Sequence, residues 1–492
     1  MPTNLFVVNQ PERWPFKIPG AEVVAARQYL TDSKYASMRN CRVFNVCRSY
    51  RYQSLGYYVS LLAEARGHKP LPRISTIQDL KSQSLIKVVS EDLEELIKKS
   101  LAHLQSEAFV LSIYFSRNLA KHYDRLSREL FNLFPAPLLR AEFKKGANGW
   151  VLTNINAISN QDVPDNHRES IAELATTYFS RNSRHPRRKS PPRFSMAILV
   201  DKDDPTPPSD SKAIDRFVRA AEAVDISVDI VGKDDYGSLS EYDALFIRST
   251  TAVNNHTYRW ARRAEAEGMV VIDDPESIVK CTNKVFLAEL LNRHDVATPR
   301  TEILHRDNVV QVMKSLGLPM VLKQPDSAFS LGVVKVKTED EYRKTVDDLL
   351  DKSDLLVAQE FAPTDFDWRI GIIDQRPLYA CKYKMARGHW QIYNNEKKGN
   401  TGHMGGWETM PVEIVPKKVV KAALKAANLI GNGLYGVDLK QIGKEAVVIE
   451  VNDNPSLESD VEDQMIRGYL YERIMEVFLK RMEAIREPRN SD

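Results

Sequence analysis

The chain has 492 residues, of which 43% are hydrophobic and 27% charged, so it can form about three or four domains with apolar cores. Its formal net charge of +3 is small for this length and gives no reason to expect nucleic acid as a partner. The four cysteines, Cys41, Cys47, Cys281 and Cys381, are too few and too widely spaced for a disulfide framework or a zinc site.

The sequence gives no sign of a membrane segment or of a secretion signal. No apolar run approaches the roughly 20 residues of a membrane-spanning helix, and the first residues show no charged segment that leads into an apolar one. We therefore expect a cytoplasmic protein without a membrane partner, a compartment that also suits unpaired cysteines. A homo-oligomer is compatible with these features.

Strand and helix patterns alternate in the first part of the chain. Short apolar runs predict neighbouring strands over residues 4–9 and 41–47, and helical spacing predicts helices over 20–29 and 56–66. This alternation is typical of an α/β unit with a parallel sheet. We assign residues 1–180 to such an N-terminal α/β domain.

The segment after the second predicted strand, Cys47 to Ser54, contains two arginines and two tyrosines. Ligands of open parallel sheets bind beyond the carboxyl ends of the strands, so Arg48 and Arg51 are candidates for binding an acidic ligand. An ordinary loop with both arginines in water explains the segment equally well. Both interpretations stay open at this point.

A change in composition separates the first domain from the rest. Prolines end a predicted helix near residues 131–140, and a further helix is predicted over 171–179. Residues 181–194 then combine a run of arginines with three prolines, which is typical of a linker between domains. A basic run can also bind nucleic acid, but a solvated linker is the commoner case, so we expect no nucleic-acid partner.

A second open α/β unit is predicted after the linker, over residues 195–280. Strand patterns alternate there with helical ones. The predicted strands are 196–200, 228–231, 243–248 and 270–272, and the predicted helices are 211–223 and 255–267. Arg248, Ser249 and Thr250 end one of these strands, at the edge where such sheets bind ligands.

Two lysines stand at the ends of predicted elements in the next part of the chain. Lys284 begins an apolar helix, and Lys323 ends a short apolar strand. The Ser/Gly loop at 327–333 that follows can lie over phosphates, although many strands end in a lysine and the signal is weak alone.

Two later strands carry further polar groups. The strand that ends in Glu360 and Phe361 can present backbone hydrogen-bonding groups to an adenine edge. In the next strand, Asp367 and Arg369 share one face because side chains alternate with a period of two.

A hairpin near the carboxyl end carries the strongest chemical signal. Two strands joined by a polar turn are predicted over 436–452, centred on Lys444. This pairing puts Asp438 opposite Glu450, with Cβ atoms roughly 5 Å apart, and Asn452 on the face of Glu450. Opposed like charges repel, so the pair either lies in water or holds a cation. Oxygen-only ligands on a rigid hairpin suit Mg²⁺; a solvated face of an edge hairpin is the alternative.

Together these groups form the set that phosphoryl transfer needs: cations for a triphosphate, carboxylates for magnesium, and an arginine for the transferred group. Their order resembles the ATP-grasp superfamily, and specifically its RimK-like carboxylate-amine ligases. The resemblance spans residues 196–478 and rests on six motifs: Asn283-Lys284, Val321-Leu322-Lys323, Gln359-Glu360-Phe361, Asp367-Trp368-Arg369, Gly436-Val437-Asp438 and Ile449-Glu450-Val451-Asn452.

The resemblance implies a fold and a set of roles. An α/β pre-ATP-grasp unit would precede an ATP-grasp domain, residues 281–485, whose two α+β subdomains clasp ATP. The roles implied are nucleotide binding by Lys284, Lys323, Glu360, Phe361 and Asp367, contact with phosphates and acyl phosphate by Arg369 and Arg387, and two Mg²⁺ ions, replaceable by Mn²⁺, at Asp438, Glu450 and Asn452.

The N-terminal part also looks like the domain that accompanies a subset of RimK-like ATP-grasp proteins, with residues 46–58 as the matching piece. This second likeness implies an association of domains and no activity. The last predicted helix, over 460–483, would pack on the ligase domain or on a second subunit.

The implied activity is ATP-dependent amide formation between a carboxylate and an amine through an acyl phosphate. Glutamate, another amino acid or a small peptide would be the substrate, and glutamate is favoured by the family. The same ATP site could instead phosphorylate a hydroxyl of a small molecule, or the chain could be a non-catalytic nucleotide-binding regulator. A regulator has no need for both the metal cluster and Arg369.

Overall fold

The computed structural model describes residues 3–16, 18–146, 149–180, 192–326, 332–387, 389–392 and 405–486. The described chain forms two compact units, the first within residues 1–198, 225–244 and 484–492 and the second within 199–224 and 245–483. Most of the predicted linker at 181–194 and residues 327–331 of the predicted phosphate loop lie outside the described residues. No helix in the described part of the chain has the length and apolar character needed to cross a membrane.

The first unit combines a parallel sheet with an antiparallel one. The parallel sheet has the order β2-β1-β3-β4, and the antiparallel sheet has the order β5-β6-β7. The strands are β1 (Thr3–Val8), β2 (Ala21–Ala25), β3 (Cys41–Asn45), β4 (Lys69–Leu71), β5 (Ala108–Tyr114), β6 (Leu138–Gly146), β7 (Gly149–Ala157), β8 (Phe194–Leu199) and β9 (Ile226–Val231). The helices are α1 (Ala26–Thr31), α2 (Ser33–Ala36), α3 (Leu55–Ala65), α4 (Ile74–Asp79), α5 (Gln83–Asp92), α6 (Glu94–Leu101), α7 (Asp124–Leu133) and α8 (Arg168–Ser180).

The predicted α/β pattern of this unit is confirmed, with one error in an element and one omission. Strands β1 and β3 pair in parallel, as expected for the two apolar runs. The helix predicted over 20–29 begins only at Ala26, because residues 21–25 pair with β1 as a strand and Val23 and Val24 suit that pairing. The antiparallel sheet was not predicted, although the sequence Asn148-Gly149 at the junction of its second and third strands is a strong hairpin signal.

The second unit contains two antiparallel sheets, each covered by helices. Their orders are β12-β15-β13-β14 and β18-β17-β16-β19-β20. The strands are β10 (Ala244–Ile247), β11 (Val270–Ile272), β12 (Thr301–Leu304), β13 (Met320–Lys323), β14 (Val333–Val336), β15 (Leu356–Glu360), β16 (Phe366–Ile373), β17 (Arg376–Lys384), β18 (Trp407–Met410), β19 (Leu434–Ile442) and β20 (Glu445–Asp453). The helices are α9 (Ser211–Ala223), α10 (His256–Ala266), α11 (Pro275–Thr282), α12 (Lys284–Arg293), α13 (Val309–Leu316), α14 (Glu339–Leu350), α15 (Lys417–Ile430) and α16 (Gly468–Arg486).

Each of these sheets has its own apolar core. Helices α13 and α14 bury the four-stranded sheet, while α12 and α15 pack on the five-stranded sheet. Two sheets with separate helical layers match the two α+β subdomains that the resemblance implies. Strands β16, β19 and β20, which carry predicted site residues, lie side by side in the larger sheet. Residues that are paired across these strands therefore have their side chains on the same face.

The hairpin of β19 and β20 has the predicted pairing, but its turn and its register differ from the prediction. Its turn has two residues, Gly443 and Lys444, and Gly443 has a φ of +60°, which favours glycine at this turn position. The register then shifts so that Ile449 is an extra residue, a bulge that restores the pairing of Asp438 with Glu450. The predicted opposition is confirmed, although the turn is shorter than the three residues expected.

The last helix begins later than predicted, at Gly468 instead of near residue 460. Asp460 and Arg467 both have positive φ values, which are incompatible with a continuous helix. The part of helix α16 up to Glu483 packs within the second unit, where the Tyr471 ring lies 4.7 Å from that of Phe217 and the Phe478 ring 5.4 Å from that of Phe246.

Gly371 in β16 is required by a close aromatic contact. A Cβ atom at this position would lie 2.0 Å from the ring of buried Tyr379 in the paired strand. We expect Gly371→Ala to lower the free energy of unfolding by about 3 kcal/mol, because neither ring nor strand can move freely in the core. Denaturant unfolding measures this, with Gly406→Ala as control, since its added Cβ would meet only the Lys384 Cδ atom at 3.9 Å. Equal stability of the two variants would contradict the expectation.

Candidate active site

Charged side chains from three neighbouring strands meet on one face of the five-stranded sheet. The register pairs Arg369 of β16 with Asp438 of β19, and Asp438 with Glu450 of β20. Arg369 donates from Nε and Nη2 to the two carboxylate oxygens of Asp438, each at 2.7 Å. Burial alone would lower the pKa of Arg369, but Asp438 raises it well above its usual range. The predicted repulsion of the two carboxylates is thus relieved on the Asp438 side by a bidentate ion pair.

Glu450 has a cation of its own. The Lys284 Nζ atom lies 3.0 Å from the Glu450 Oε1 atom, and Lys284 is the first residue of α12, whose amino end is capped by Asn283. Burial would raise the pKa of Glu450, yet Lys284 and Lys323 together lower it below its ordinary value. Glu450, whose side chain is only partly buried, therefore stays ionised.

Asn452 completes the group of three predicted metal ligands. Its amide nitrogen donates to the Asp438 Oδ2 atom at 3.1 Å. The structure thus brings Asp438, Glu450 and Asn452 together, as the alternation of side chains along β20 predicted.

Lys323 is buried at the end of β13 and donates from Nζ to the Gln359 Oε1 atom at 2.8 Å. Gln359 is itself held, because its amide nitrogen donates to Thr301 Oγ1 at 2.9 Å. Burial lowers the pKa of Lys323 to about 8, against the opposing pull of Glu450. Lys323 is therefore a cation that loses its proton readily.

Asp367 is paired with a residue that the sequence reading missed. Lys440 Nζ lies 2.6 Å from Asp367 Oδ1, and Thr364 Oγ1 donates to the same oxygen at 3.1 Å. Burial nevertheless raises the pKa of Asp367. The signal for Lys440 was present: an Asp-x-Arg strand beside an antiparallel Asp-x-Lys strand brings unlike charges together at both positions.

Glu360 and Phe361 lie at the end of β15 with separate partners. Arg300 donates to Glu360 through its side-chain Nε at 2.7 Å and its backbone nitrogen at 3.0 Å, and these bonds lower the pKa of Glu360. The Lys335 Nζ atom lies 3.4 Å from the centre of the Phe361 ring, and the Trp390 ring packs edge-on against Phe361 at 5.9 Å.

Arg387 is not brought into this group. Its side chain is exposed, and in the part of the chain that the structure describes no hydrogen bond or ion pair joins it to the charged cluster. Gly388, Tyr393 and Asn394 of the same predicted substrate loop lie outside the described residues. The role of Arg387 stays a prediction.

The prediction that Arg248 lies where a ligand can reach it, at the end of its strand, is wrong. Arg248 is fully buried and donates to Asn454 Oδ1 at 2.7 Å and to the backbone oxygens of Pro208 and Pro455 at 2.6 and 2.9 Å. It holds the segment after β20 in place, and burial lowers its pKa to about 10. Arg48 and Arg51 are exposed in the first unit, and both interpretations of them stay open.

Two supporting residues were also missed. The guanidinium carbon of Arg369 lies 5.4 Å from the centre of the Tyr383 ring, and the Tyr383 hydroxyl donates to Glu462. Glu462 is 1% exposed and also accepts from the backbone nitrogen of Glu458 at 2.8 Å. No sequence signal pointed to Glu462, because it lies in an irregular segment after β20.

The donor atoms of this cluster fit magnesium that arrives with a nucleotide. Asp438, Glu450 and Asn452 offer only carboxylate and amide oxygens, the ligand type that Mg²⁺ prefers. The described residues contain no group of three or more His, Cys, Asp and Glu side chains that could hold a metal without further ligands. A magnesium ion here would therefore complete its shell with water and phosphate oxygens, as it usually does.

Comparison with known proteins gives both curated relatives and solved structures that are similar to this chain. A probable alpha-L-glutamate ligase of Vibrio vulnificus is 26% identical over 242 residues, which is 48% of this chain and 77% of the relative. A probable alpha-L-glutamate ligase of Marinobacter nauticus is 28% identical over 225 residues, 45% of this chain and 71% of the relative. A solved RimK domain ATP-grasp protein of Sphaerobacter thermophilus covers 57% of this chain and 98% of its own, with 15% identity and a TM-score of 0.43.

Two family models match the chain in the predicted order. Residues 26–174 match the RimK-like ATPgrasp N-terminal domain, and residues 281–468 match the RimK-like ATP-grasp domain. The second match contains every residue predicted to bind ATP, the acyl phosphate or magnesium. Both predicted resemblances are therefore confirmed: the chain contains a RimK-like ATPgrasp N-terminal domain and, after it, a RimK-like ATP-grasp domain.

Proposed function

We propose that this ligase activates a substrate carboxylate as an acyl phosphate, at the expense of ATP, and joins it to the amine of an amino acid or short peptide. The observation that carries the proposal is the partly buried cluster in which Arg369 and Lys284 pair with Asp438 and Glu450, with Lys323 close enough to shift the pKa of Glu450. Glutamate is the favoured substrate, because curated relatives are described as probable alpha-L-glutamate ligases.

The ion pairs of the cluster supply the groups for both the phosphates and the metal. We assign phosphate binding to Lys284 and Lys323 and metal binding to Asp438, Glu450 and Asn452, with two magnesium ions as the expected number. Magnesium, when bound, would offset charge on the phosphates and on the transferred group. Each cation and each carboxylate would then keep a partner of opposite charge.

The reaction needs no enzyme nucleophile. A carboxylate oxygen of the substrate attacks the γ-phosphorus of ATP, the bond to ADP breaks, and an acyl phosphate forms. The amine nitrogen then attacks the acyl carbon, phosphate leaves with the electron pair of its carbon–oxygen bond, and the amine loses a proton. Arg369 would offset the charge that develops on the transferred group, and we assign Arg387 to the acyl phosphate.

The remaining predicted residues bind the nucleotide in this scheme. We assign Glu360 and Phe361 to the hinge beside the adenine and Asp367, fixed by Lys440, to a contact with the nucleotide. We also propose domain boundaries at residues 180, 194 and 280, with the ATP-grasp domain over 281–485.

Phosphate release tests the proposal. The full chain is incubated with ATP and Mg²⁺ and a panel of amino acids, singly and in pairs, and the products are identified by mass spectrometry. Phosphate release that needs a carboxylate and an amine together, with a product one water lighter than their sum, is the expected result. Formation of ADP without free phosphate, together with a product heavier by a phosphoryl group, would show that the protein is a kinase and not a ligase. The absence of ADP and phosphate in every mixture would contradict action on small amino acids.

Tyr383 should act as a positioning residue for Arg369. Tyr383→Phe keeps the ring beneath the guanidinium and loses only the bond to Glu462, so we expect kcat to fall about threefold with KM for ATP unchanged. Tyr383→Leu removes the ring as well and should lower kcat about 30-fold. Equal kcat values for the two variants, with equal melting temperatures, would show that the ring does not position Arg369.

A further inference from the structure

A cavity of about 620 Å³ lies between α9 and the first turns of α16, in the second unit. Its volume falls within the roughly 300–1,000 Å³ of small-molecule sites. None of the site residues discussed above is among the residues that line it. The cavity is therefore a separate feature of the unit.

The inner wall of this cavity is complete without a ligand. Asp463 is 1% exposed and accepts from the Tyr471 hydroxyl at 2.8 Å, from the Asp460 backbone nitrogen at 2.7 Å and from Arg216. The Tyr471 ring is fixed in turn by Phe217 at 4.7 Å. Since the wall residues are held by one another, the cavity is pre-formed.

The rim of the cavity carries charges of both signs. Arg219, Arg467 and Glu472 line it with exposed side chains, and among the described residues none of these three side chains has a hydrogen-bond or ion-pair partner. Asp460 is exposed as well and approaches Arg216 only at 3.7 Å. Because Asp463 already offsets Arg216, the rim presents two cations and two carboxylates around one space.

This charge arrangement selects a class of ligand. A simple anion would meet the two carboxylates, and a simple cation would meet the two arginines, so neither is favoured by the rim as a whole. A small molecule with one charge of each sign satisfies both pairs. α-Amino acids and dipeptides are the common metabolites of this kind.

We propose that the cavity is a binding site for a zwitterion, an α-amino acid or dipeptide, with its carboxylate at Arg219 and Arg467 and its ammonium group at Asp460 and Glu472. The site goes beyond the proposed ligase activity and does not depend on it. Asp463 in its wall directly follows Glu462, the residue that accepts from Tyr383, so the wall is continuous with the support of Arg369.

Calorimetric titration of the full chain without ATP tests this proposal with two probes, L-glutamate and glutarate, which lacks the ammonium group. We expect glutamate to bind at least about tenfold more tightly than glutarate. The double variant Arg219→Ala, Arg467→Ala should lose at least about tenfold in affinity for glutamate, and Glu472→Gln should weaken glutamate but leave glutarate unchanged.

Two control variants separate this site from the ligase cluster. Lys323→Ala and Arg369→Ala should keep the affinity for glutamate at this cavity. The binding measurement can therefore be interpreted even if the ligase proposal fails. The proposal is overturned if the unaltered chain gives no heat with glutamate. It is also overturned if Arg369→Ala loses the binding that the double arginine variant keeps, since glutamate would then bind at the catalytic cluster.

Discussion

Asp438→Asn should reduce ADP formation by about 10³-fold, the largest effect expected of any single substitution in this chain. Asp438 is the carboxylate that lies between the other members of the cluster: it binds Arg369 through both oxygens and accepts from Asn452. The asparagine keeps the shape and one acceptor oxygen but removes the negative charge that a magnesium ion requires. A coupled assay of ADP formation over a range of Mg²⁺ concentrations measures this loss of activity.

The stability of this variant must be measured beside its activity. Arg369 would keep one hydrogen bond to the new amide, so we expect a folded protein with a lowered melting temperature. Glu445→Gln is the matched control, because Glu445 begins the other strand of the same hairpin and pairs with exposed Lys418. Activity of Asp438→Asn within tenfold of the unaltered chain would refute the metal assignment.

Lys323→Ala should raise the KM for ATP by about 100-fold, because it removes a buried cation whose hydrogen-bond partner among the described residues is the neutral amide of Gln359. A buried ammonium group that is hydrogen-bonded only to an amide oxygen can bind a phosphate without first breaking an ion pair. Lys418→Ala, which removes an exposed lysine of the same unit, should leave the KM unchanged. An unchanged KM in Lys323→Ala would exclude Lys323 from phosphate binding.

The same lysine predicts a pH dependence. Burial lowers the pKa of Lys323 to about 8, so the group is charged below pH 8 and loses its charge as the pH rises through that value. We expect kcat/KM for ATP to fall about tenfold per pH unit above this point. Lys323→Arg should stay active to higher pH, because a guanidinium group remains protonated there. Identical pH profiles for the two proteins would assign the decline to another group.

The sequence predicted the centre of the site because strand pairing obeys simple rules. The opposition of Asp438 and Glu450 follows from antiparallel geometry. The prediction of this pairing is correct although the predicted turn was one residue too long, because the bulge at Ile449 compensates for the shorter turn. Lys440 could have been found by the same rules. It was overlooked because the two strands were read separately.

Other features depend on contacts that no local pattern encodes. Glu462 reaches Tyr383 from an irregular segment, across 79 residues of chain. Arg248 was misread because the position of a strand end predicts where a side chain starts and not how deeply it is buried. Residues 21–25 have helical spacing, yet pairing with β1 decides their conformation.

The ion pairs Arg369–Asp438 and Lys284–Glu450 have a consequence for the order in which ligands enter. A nucleotide that bound alone would pair with Arg369 and Lys284 and would leave the partly buried carboxylates of Asp438 and Glu450 without a cation. A metal ion that bound alone would pair with the carboxylates and would leave the two cations without an anion. Either event would leave partly buried charge uncompensated, which is unfavourable. Metal and nucleotide should therefore bind together as one complex that neutralises both ion pairs, and the resting enzyme should bind free magnesium or free nucleotide more weakly than this complex.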